Sequence, residues 1–218
     1  MYQVEIFLPL YSRVYDLYIG LKRGCKTQKA KPYKHKQPIL FYGSSITQGG
    51  CASKPGDDYV NRLCRMLDTD VINLGFSGSA KAEKVIVDYI ARQNPSIFVI
   101  DYDYNAPNAE YLEKTHFSFY EAVRNAHSRI PIVIMPMPTF EGYEKREKNK
   151  SRKAIILNTY KKAIENGDEN VYFVDCYGSF GALKNGECGT VDGCHPDSLG
   201  FFRIAEKLYP LLNRLLNN

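Results

Sequence analysis

The sequence predicts an α/β chain: a flavodoxin-like three-layer α/β/α sandwich with a five-stranded, mostly parallel sheet, plus a short N-terminal β ribbon. Three observations predict it. From residue 38 onward five short apolar runs alternate with amphipathic stretches of helical spacing, which is the βαβ pattern. The runs are apolar almost throughout, as strands covered on both faces are. At 218 residues the chain is long enough for one sizeable core and too short for two full domains.

Residues 2–21 are rich in β-branched and aromatic side chains, and Pro9 divides them into two alternating stretches, so they read as a hairpin or edge ribbon. A two-stranded ribbon is marginal alone. It must pack on the main domain, on a partner or on a β domain outside this chain, and pairing with a second copy would make a homo-oligomer. Residues 22–37 read as a basic, solvated linker. Residues 1–38 hold eight Lys/Arg against two Asp/Glu, which locates the net charge of +5 there and leaves the remainder one charge negative. That placement predicts no nucleic-acid binding. The chain thus divides into residues 1–37, ribbon and linker, and residues 38–218, the main domain.

In the main domain the strands are expected over residues 38–43 (PILFYG), 71–75 (VINLG), 96–103 (SIFVIDYD), 132–137 (IVIMPM) and 171–175 (VYFVD). The helices between and after them are expected around Tyr59, Val60, Leu63 and Leu67, then over residues 80–92, 109–127, 150–166 and 198–215. Parallel strands need right-handed crossovers, and ligands in such sheets bind beyond the strands' carboxyl ends. Chemistry is therefore sought just after each strand.

Several function classes are excluded first. No run of about 18 apolar residues could span a bilayer. The six cysteines form no CxxC pair, so neither a zinc ribbon nor a thioredoxin-type site is indicated; Cys188, Cys194 and His195 lack a fourth ligand at recognised spacing, and no metal is expected. Met1 is followed by no signal-peptide pattern, so the chain as given reads as cytoplasmic, whereas a longer parent with its own export signal would be secreted.

After the first strand comes Gly43-Ser44-Ser45-Ile46-Thr47-Gln48-Gly49-Gly50. It is no Walker A loop, because Gln48 and Gly49 stand where Gly and Lys are required. It is no GxSxG elbow either, because Thr47 replaces the second glycine. A turn presenting a serine nucleophile and a Ser/Thr-rich loop wrapping a flavin phosphate both stay open on these residues alone. Between the last strand and the last helix lies Asp192-Gly193-Cys194-His195-Pro196. That spacing lets Asp192 accept a hydrogen bond from His195, fixing the tautomer of a base that a weak serine nucleophile requires.

Four blocks in order resemble the SGNH (GDSL-like) hydrolases: GSSIT, NLGFSG, DYDYN and VDGCHP. The longer string GSSITQGGCASKPG resembles a bacterial acetylhydrolase branch of that family. The resemblance implies Ser45 as nucleophile, His195 as general base and then acid, and Asp192 as its orienter. It implies an oxyanion hole made of the Ser45 amide, the Gly78 amide and the Asn105 side chain, with no cofactor. It also implies that residues 2–21 are similar to the end of a preceding β-sandwich domain. Two departures stand out: Ser44 replaces the usual Asp, and DYDYNA stands where GxND is typical, which makes Asn108 a local competitor of Asn105.

The expected reaction is hydrolysis of a small acyl ester, acetyl for choice, with carbohydrate the preferred alcohol class; a thioesterase or short-chain carboxylesterase comes next, and a non-catalytic carbohydrate- or flavin-binding module is the alternative of a different kind. Tyr104 and Phe140 are expected to bind substrate, and residues 139–150, polar and rich in Lys/Glu, to form a flap over the site.

Overall fold

A computed structural model describes residues 3–143 and 146–218. Five strands, β1 (His35–Gly43), β2 (Thr69–Gly75), β3 (Ile97–Asp101), β4 (Ile132–Ile134) and β5 (Val171–Phe173), form one sheet in the order β2-β1-β3-β4-β5. Every neighbouring pair is parallel. The helices are α1 (Ser45–Gln48), α2 (Tyr59–Leu67), α3 (Lys84–Ile90), α4 (Ala109–Ala126), α5 (Glu147–Glu165) and α6 (Ser198–Asn217). None is long and apolar enough to cross a membrane.

The strands are apolar on both sides because each side meets a helical layer. Ile39 and Phe41 of β1 and Ile97 and Val99 of β3 face Leu63, Phe201, Ile204 and Leu208 of α2 and α6. Leu40, Tyr42, Phe98 and Ile100, one residue out of phase, face Leu112, Phe119 and Ile156 of α4 and α5. The period-2 pleat thus sorts one continuous run into two cores. Truncating such a residue, Leu63→Ala for instance, costs about 2–5 kcal/mol through lost burial and the cavity left behind.

The strand order reverses direction between β1 and β3, and the Ser45 turn and the Asp103–Asn105 turn follow those two strands directly. A crevice opens at such a switch point, so the topology places the site.

The β ribbon expected over residues 2–21 is not formed: residues 3–21 carry no strand. A strand needs a ladder partner, and Pro9 lacks an N–H to contribute to one. The segment instead runs over the surface of the main domain, with Phe7 against Gly56, Leu10 against Gly49 and Tyr11 against Gly50.

Candidate active site

The Ser45 turn is shaped by packing beneath it. A side chain at Gly43 would collide with Thr47 and the Asp101 carbonyl, and one at Gly75 with the backbone of Gln48, so α1 sits directly on the ends of β1 and β2. Ser44 caps α1 by accepting from the Ile46 amide at 3.2 Å, the part an Asp would play there. Gly49 closes the turn in the left-handed conformation, with φ of 100°. Thr47 donates to the buried Asp101 carboxyl at 2.9 Å, and Asn73 donates to the Thr47 carbonyl at 2.8 Å. The turn is therefore tied to β2 and β3 as well as to its own strand.

The Asp192–His195 loop is equally local in origin. Thr190 pairs with Pro196, and the Val191 amide donates to the His195 carbonyl at 3.0 Å, closing a tight loop just before α6. Inside it Asp192 Oδ1 accepts from the amides of Cys194 and His195 at 2.9 and 2.7 Å, and Oδ2 lies 2.7 Å from His195 Nδ1. The other imidazole nitrogen, Nε2, lies 2.9 Å from Ser45 Oγ. The His195 amide, then its ring, then the Cys194 amide hold the Asp192 carboxyl down to about 2. Asp192 is therefore ionised at neutral pH and holds Nδ1–H, leaving Nε2 to accept from Ser45. Ser45 is half-buried and the His195 side chain 31% exposed, so both can be reached from solvent.

The remaining predicted residues divide. Asn105 ends the turn after β3 and donates from its side-chain amide to the Phe76 carbonyl at 2.8 Å, which leaves its second N–H available. Phe76 in turn donates to the Gly43 carbonyl at 2.9 Å, linking Asn105, the Gly78 loop and the Ser45 turn. Gly78 is exposed with φ of 67°, and neither its amide nor that of Ser45 has an acceptor in the chain among the described residues. The local competitor, Asn108, is occupied as the cap of α4, accepting from the Tyr111 amide at 2.8 Å.

Tyr104 lines a cleft of about 240 Å³ together with Thr139, Arg146, Gly193 and Cys194. Its hydroxyl donates to the Pro138 carbonyl at 3.0 Å. Phe140, expected to bind substrate, is instead a core residue, 1% exposed and packed edge-on against Phe180 at 5.5 Å. Its apolar ring is better satisfied among other rings than on a polar rim. The flap expected over residues 139–150 is likewise broken up: Thr139 and Phe140 are buried, 147–150 begin α5, and residues 144 and 145 lie outside the described residues.

Gln48 was not singled out by sequence and has a structural part here. Its side-chain Oε1 accepts from the Ser77 amide at 2.8 Å and its side-chain Nε2 donates to the Leu10 carbonyl at 3.1 Å. It ties the serine turn to the Gly78 loop and to the N-terminal segment. Only its place in a polar turn signalled it.

Comparison with known proteins identifies the family and the fold. The family model described as the GDSL-like Lipase/Acylhydrolase family matches residues 36–213. No curated protein matches the chain. Among solved structures, a Bacteroides ovatus ATCC 8483 protein assigned as a GDSL-like lipase superposes with a TM-score of 0.76 at 31% identity, over 86% of this chain and 55% of that one. The chain thus spans little more than half of that protein. Two others share the fold at low identity. A family two carbohydrate esterase from Clostridium thermocellum, in complex with cellohexaose, has a TM-score of 0.68 at 17% identity over 88% of this chain and 67% of that one. A carbohydrate esterase family 3 structure from Talaromyces cellulolyticus has 0.62 at 16% over 83% and 98%. With the family model covering residues 36–213, including both loops that carry Ser45 and His195, the chain belongs to the GDSL-like lipase/acylhydrolase family.

Proposed function

We propose that the protein is a serine esterase that removes a small acyl group, acetyl first, from a carbohydrate alcohol. The observation that carries this reading is the unbroken chain from Ser45 Oγ to His195 Nε2 at 2.9 Å and from His195 Nδ1 to Asp192 at 2.7 Å. Ser45 Oγ attacks the ester carbonyl as His195 takes its proton; the tetrahedral oxyanion is met by the amides of Ser45 and Gly78 and by the second Asn105 N–H. His195 then gives the proton to the departing alcohol, and the acyl-Ser45 ester is cleaved by water activated by the same imidazole. Asp192 keeps its charge throughout and stabilises the imidazolium.

A small acyl group is supported by the modest size, about 240 Å³, of the cleft beside the Asp192–His195 loop, whose walls include Tyr104, Gly193 and Cys194. The carbohydrate is supported by analogy with the two carbohydrate esterases of the same fold. The test is hydrolysis of p-nitrophenyl acetate, p-nitrophenyl butyrate and an acetylated xylooligosaccharide by the protein and its Ser45→Ala variant. Acetate is expected to be cleaved faster than butyrate, with kcat falling by about 10³-fold or more in the variant. Equal slow rates in both proteins would sink the Ser45 mechanism and favour a non-catalytic binding module.

A further inference from the structure

Residues 7–11 do not merely pass the active site; the main domain is built to receive them. Phe7 lies over Gly56, where any side chain would meet its ring, with the Arg65 guanidinium 5.0 Å from the ring centre. Leu10 lies 2.5 Å from where a Gly49 side chain would begin, and its carbonyl accepts from Gln48 at 3.1 Å. Tyr11 follows, its hydroxyl 2.8 Å from where a Gly50 side chain would begin. Three glycines thus clear a path for three consecutive contacts.

The end of that path is the catalytic centre. The Tyr11 hydroxyl is 3.5 Å from the Ser45 carbonyl, and the ring edge of His195, at Cδ2, lies 3.5 Å from the same side-chain position of Gly50. The hydroxyl also interacts with that of Ser77, the neighbour of Gly78. The side of the site near His195 is where the departing alcohol must lie, because His195 Nε2 returns its proton to that oxygen. A 3.5 Å contact to a carbonyl is at the limit of a hydrogen bond, so little is lost when the phenol turns to a nearer acceptor. Burial raises the Tyr11 phenol above its ordinary value, which keeps it a donor at neutral pH.

We propose that residues 7–11 form a wall of the active site and that the Tyr11 hydroxyl hydrogen-bonds the alcohol part of the bound ester, selecting alcohols that carry further hydroxyl groups, as sugars do. This rests on the esterase reading above and adds a specificity residue from outside the α/β core.

The experiment compares Tyr11→Phe, which keeps the ring, and Phe7→Ala, which loosens the segment away from the catalytic residues, with the unaltered protein on two esters. On the acetylated xylooligosaccharide, kcat/KM is expected to fall about 10-fold in Tyr11→Phe, chiefly through KM, the size of one lost hydrogen bond. On p-nitrophenyl acetate, whose leaving group has no further hydroxyl, it is expected to stay within about twofold. Phe7→Ala is expected to show the same discrimination. Equal losses on both esters would assign Tyr11 a merely structural part, and no loss on the oligosaccharide, or cleavage of the aryl ester alone by the unaltered protein, would overturn the proposal. Failure of the esterase reading is recognised separately, by a Ser45→Ala variant that hydrolyses both esters as fast as the unaltered protein.

Discussion

Asp192 and the pair Asp101 and Asp103 all lie at the carboxyl edge of the sheet, yet their surroundings drive the same side chain in opposite directions. Asp192 is 49% exposed in its loop, and two amides and an imidazole N–H point at it. Those donors hold its carboxyl near 2. Asp101 and Asp103 are buried, and Oδ1 of each has no hydrogen-bond partner among the described residues. Burial pushes Asp103 up to about 6; it pushes Asp101 well above the carboxylate range, with the neighbouring Asp103 adding to it. Burial first, and donor supply second, separate a carboxylate that serves as a charge from a carboxyl that serves as a strut. Asp101 braces Thr47 and Tyr59 under the serine turn, while Asp192 holds the His195 ring.

The sharpest way to break the exposed side of this comparison is Asp192→Asn. Its amide N–H₂ would face His195 Nδ1, favouring the tautomer with the proton on Nε2, which cannot accept from Ser45. A fall in kcat of about 10³–10⁴-fold with the fold intact is expected from p-nitrophenyl acetate hydrolysis and melting curves. A loss under tenfold would mean that Asp192 does not set the tautomer. Asn105→Ala comes next. It removes one proposed oxyanion donor and should lower kcat by about 10²–10³-fold with KM nearly unchanged; a rise in KM alone would place Asn105 in ground-state binding instead.

The buried side is tested by pH. Asp103 has a folded value above its unfolded one, so between about pH 4 and about 6 the folded state binds the extra proton and stability falls as pH rises. Asp192 has the reverse sign: its contribution is present above about pH 4 and is lost as pH falls towards 2. Asp103→Asn is neutral at every pH and can still accept from the Met137 amide, which now lies 3.1 Å from Oδ2. Relative to the unaltered protein it should gain about 3 kcal/mol between pH 4 and 7, measured by urea unfolding at each pH. Parallel curves for the two proteins would show that Asp103 is ionised despite its burial.

The sheet was legible because buried parallel strands leave a signal that depends on nothing distant: Ile39 to Tyr42 and Ile97 to Ile100 are apolar without interruption. The serine turn and the Asp192–His195 loop were legible for a similar reason, since each is a short segment whose spacing limits its geometry. Elements set by distant partners were misread. A helix is expected over residues 80–92, but α3 spans Lys84–Ile90, because the Ala82 amide donates to Tyr42 Oη at 2.8 Å and Ala82 takes a φ of 58°. The run 132–137 leaves the sheet after Ile134, and the Met137 amide goes to Asp103 rather than to a strand. Residues 3–21 have strand composition without a ladder partner. Phe140 was read as rim because its polar neighbours are near in sequence, whereas Phe180, which encloses it, is not.

Tyr104 joins the two regions, following Asp103 in the chain and standing beside Cys194 of the Asp192–His195 loop. Burial first, and then Cys194, raise its phenol, so it stays protonated throughout the range in which Asp103 titrates. Tyr104→Phe removes the hydroxyl's hydrogen bond to the Pro138 carbonyl and its contact with the Cys194 side chain, and keeps the ring that lines the cleft. A stability loss of about 1 kcal/mol is expected, the same at pH 4 and pH 7, with kcat and KM for p-nitrophenyl acetate within about twofold of the unaltered protein. A loss that grew with pH would show that the variant had disturbed Asp103 as well, since the phenol itself cannot supply that dependence. A tenfold rise in KM would instead make the hydroxyl a substrate ligand, and the cleft beside Cys194 would then be selecting by hydrogen bonding as well as by shape.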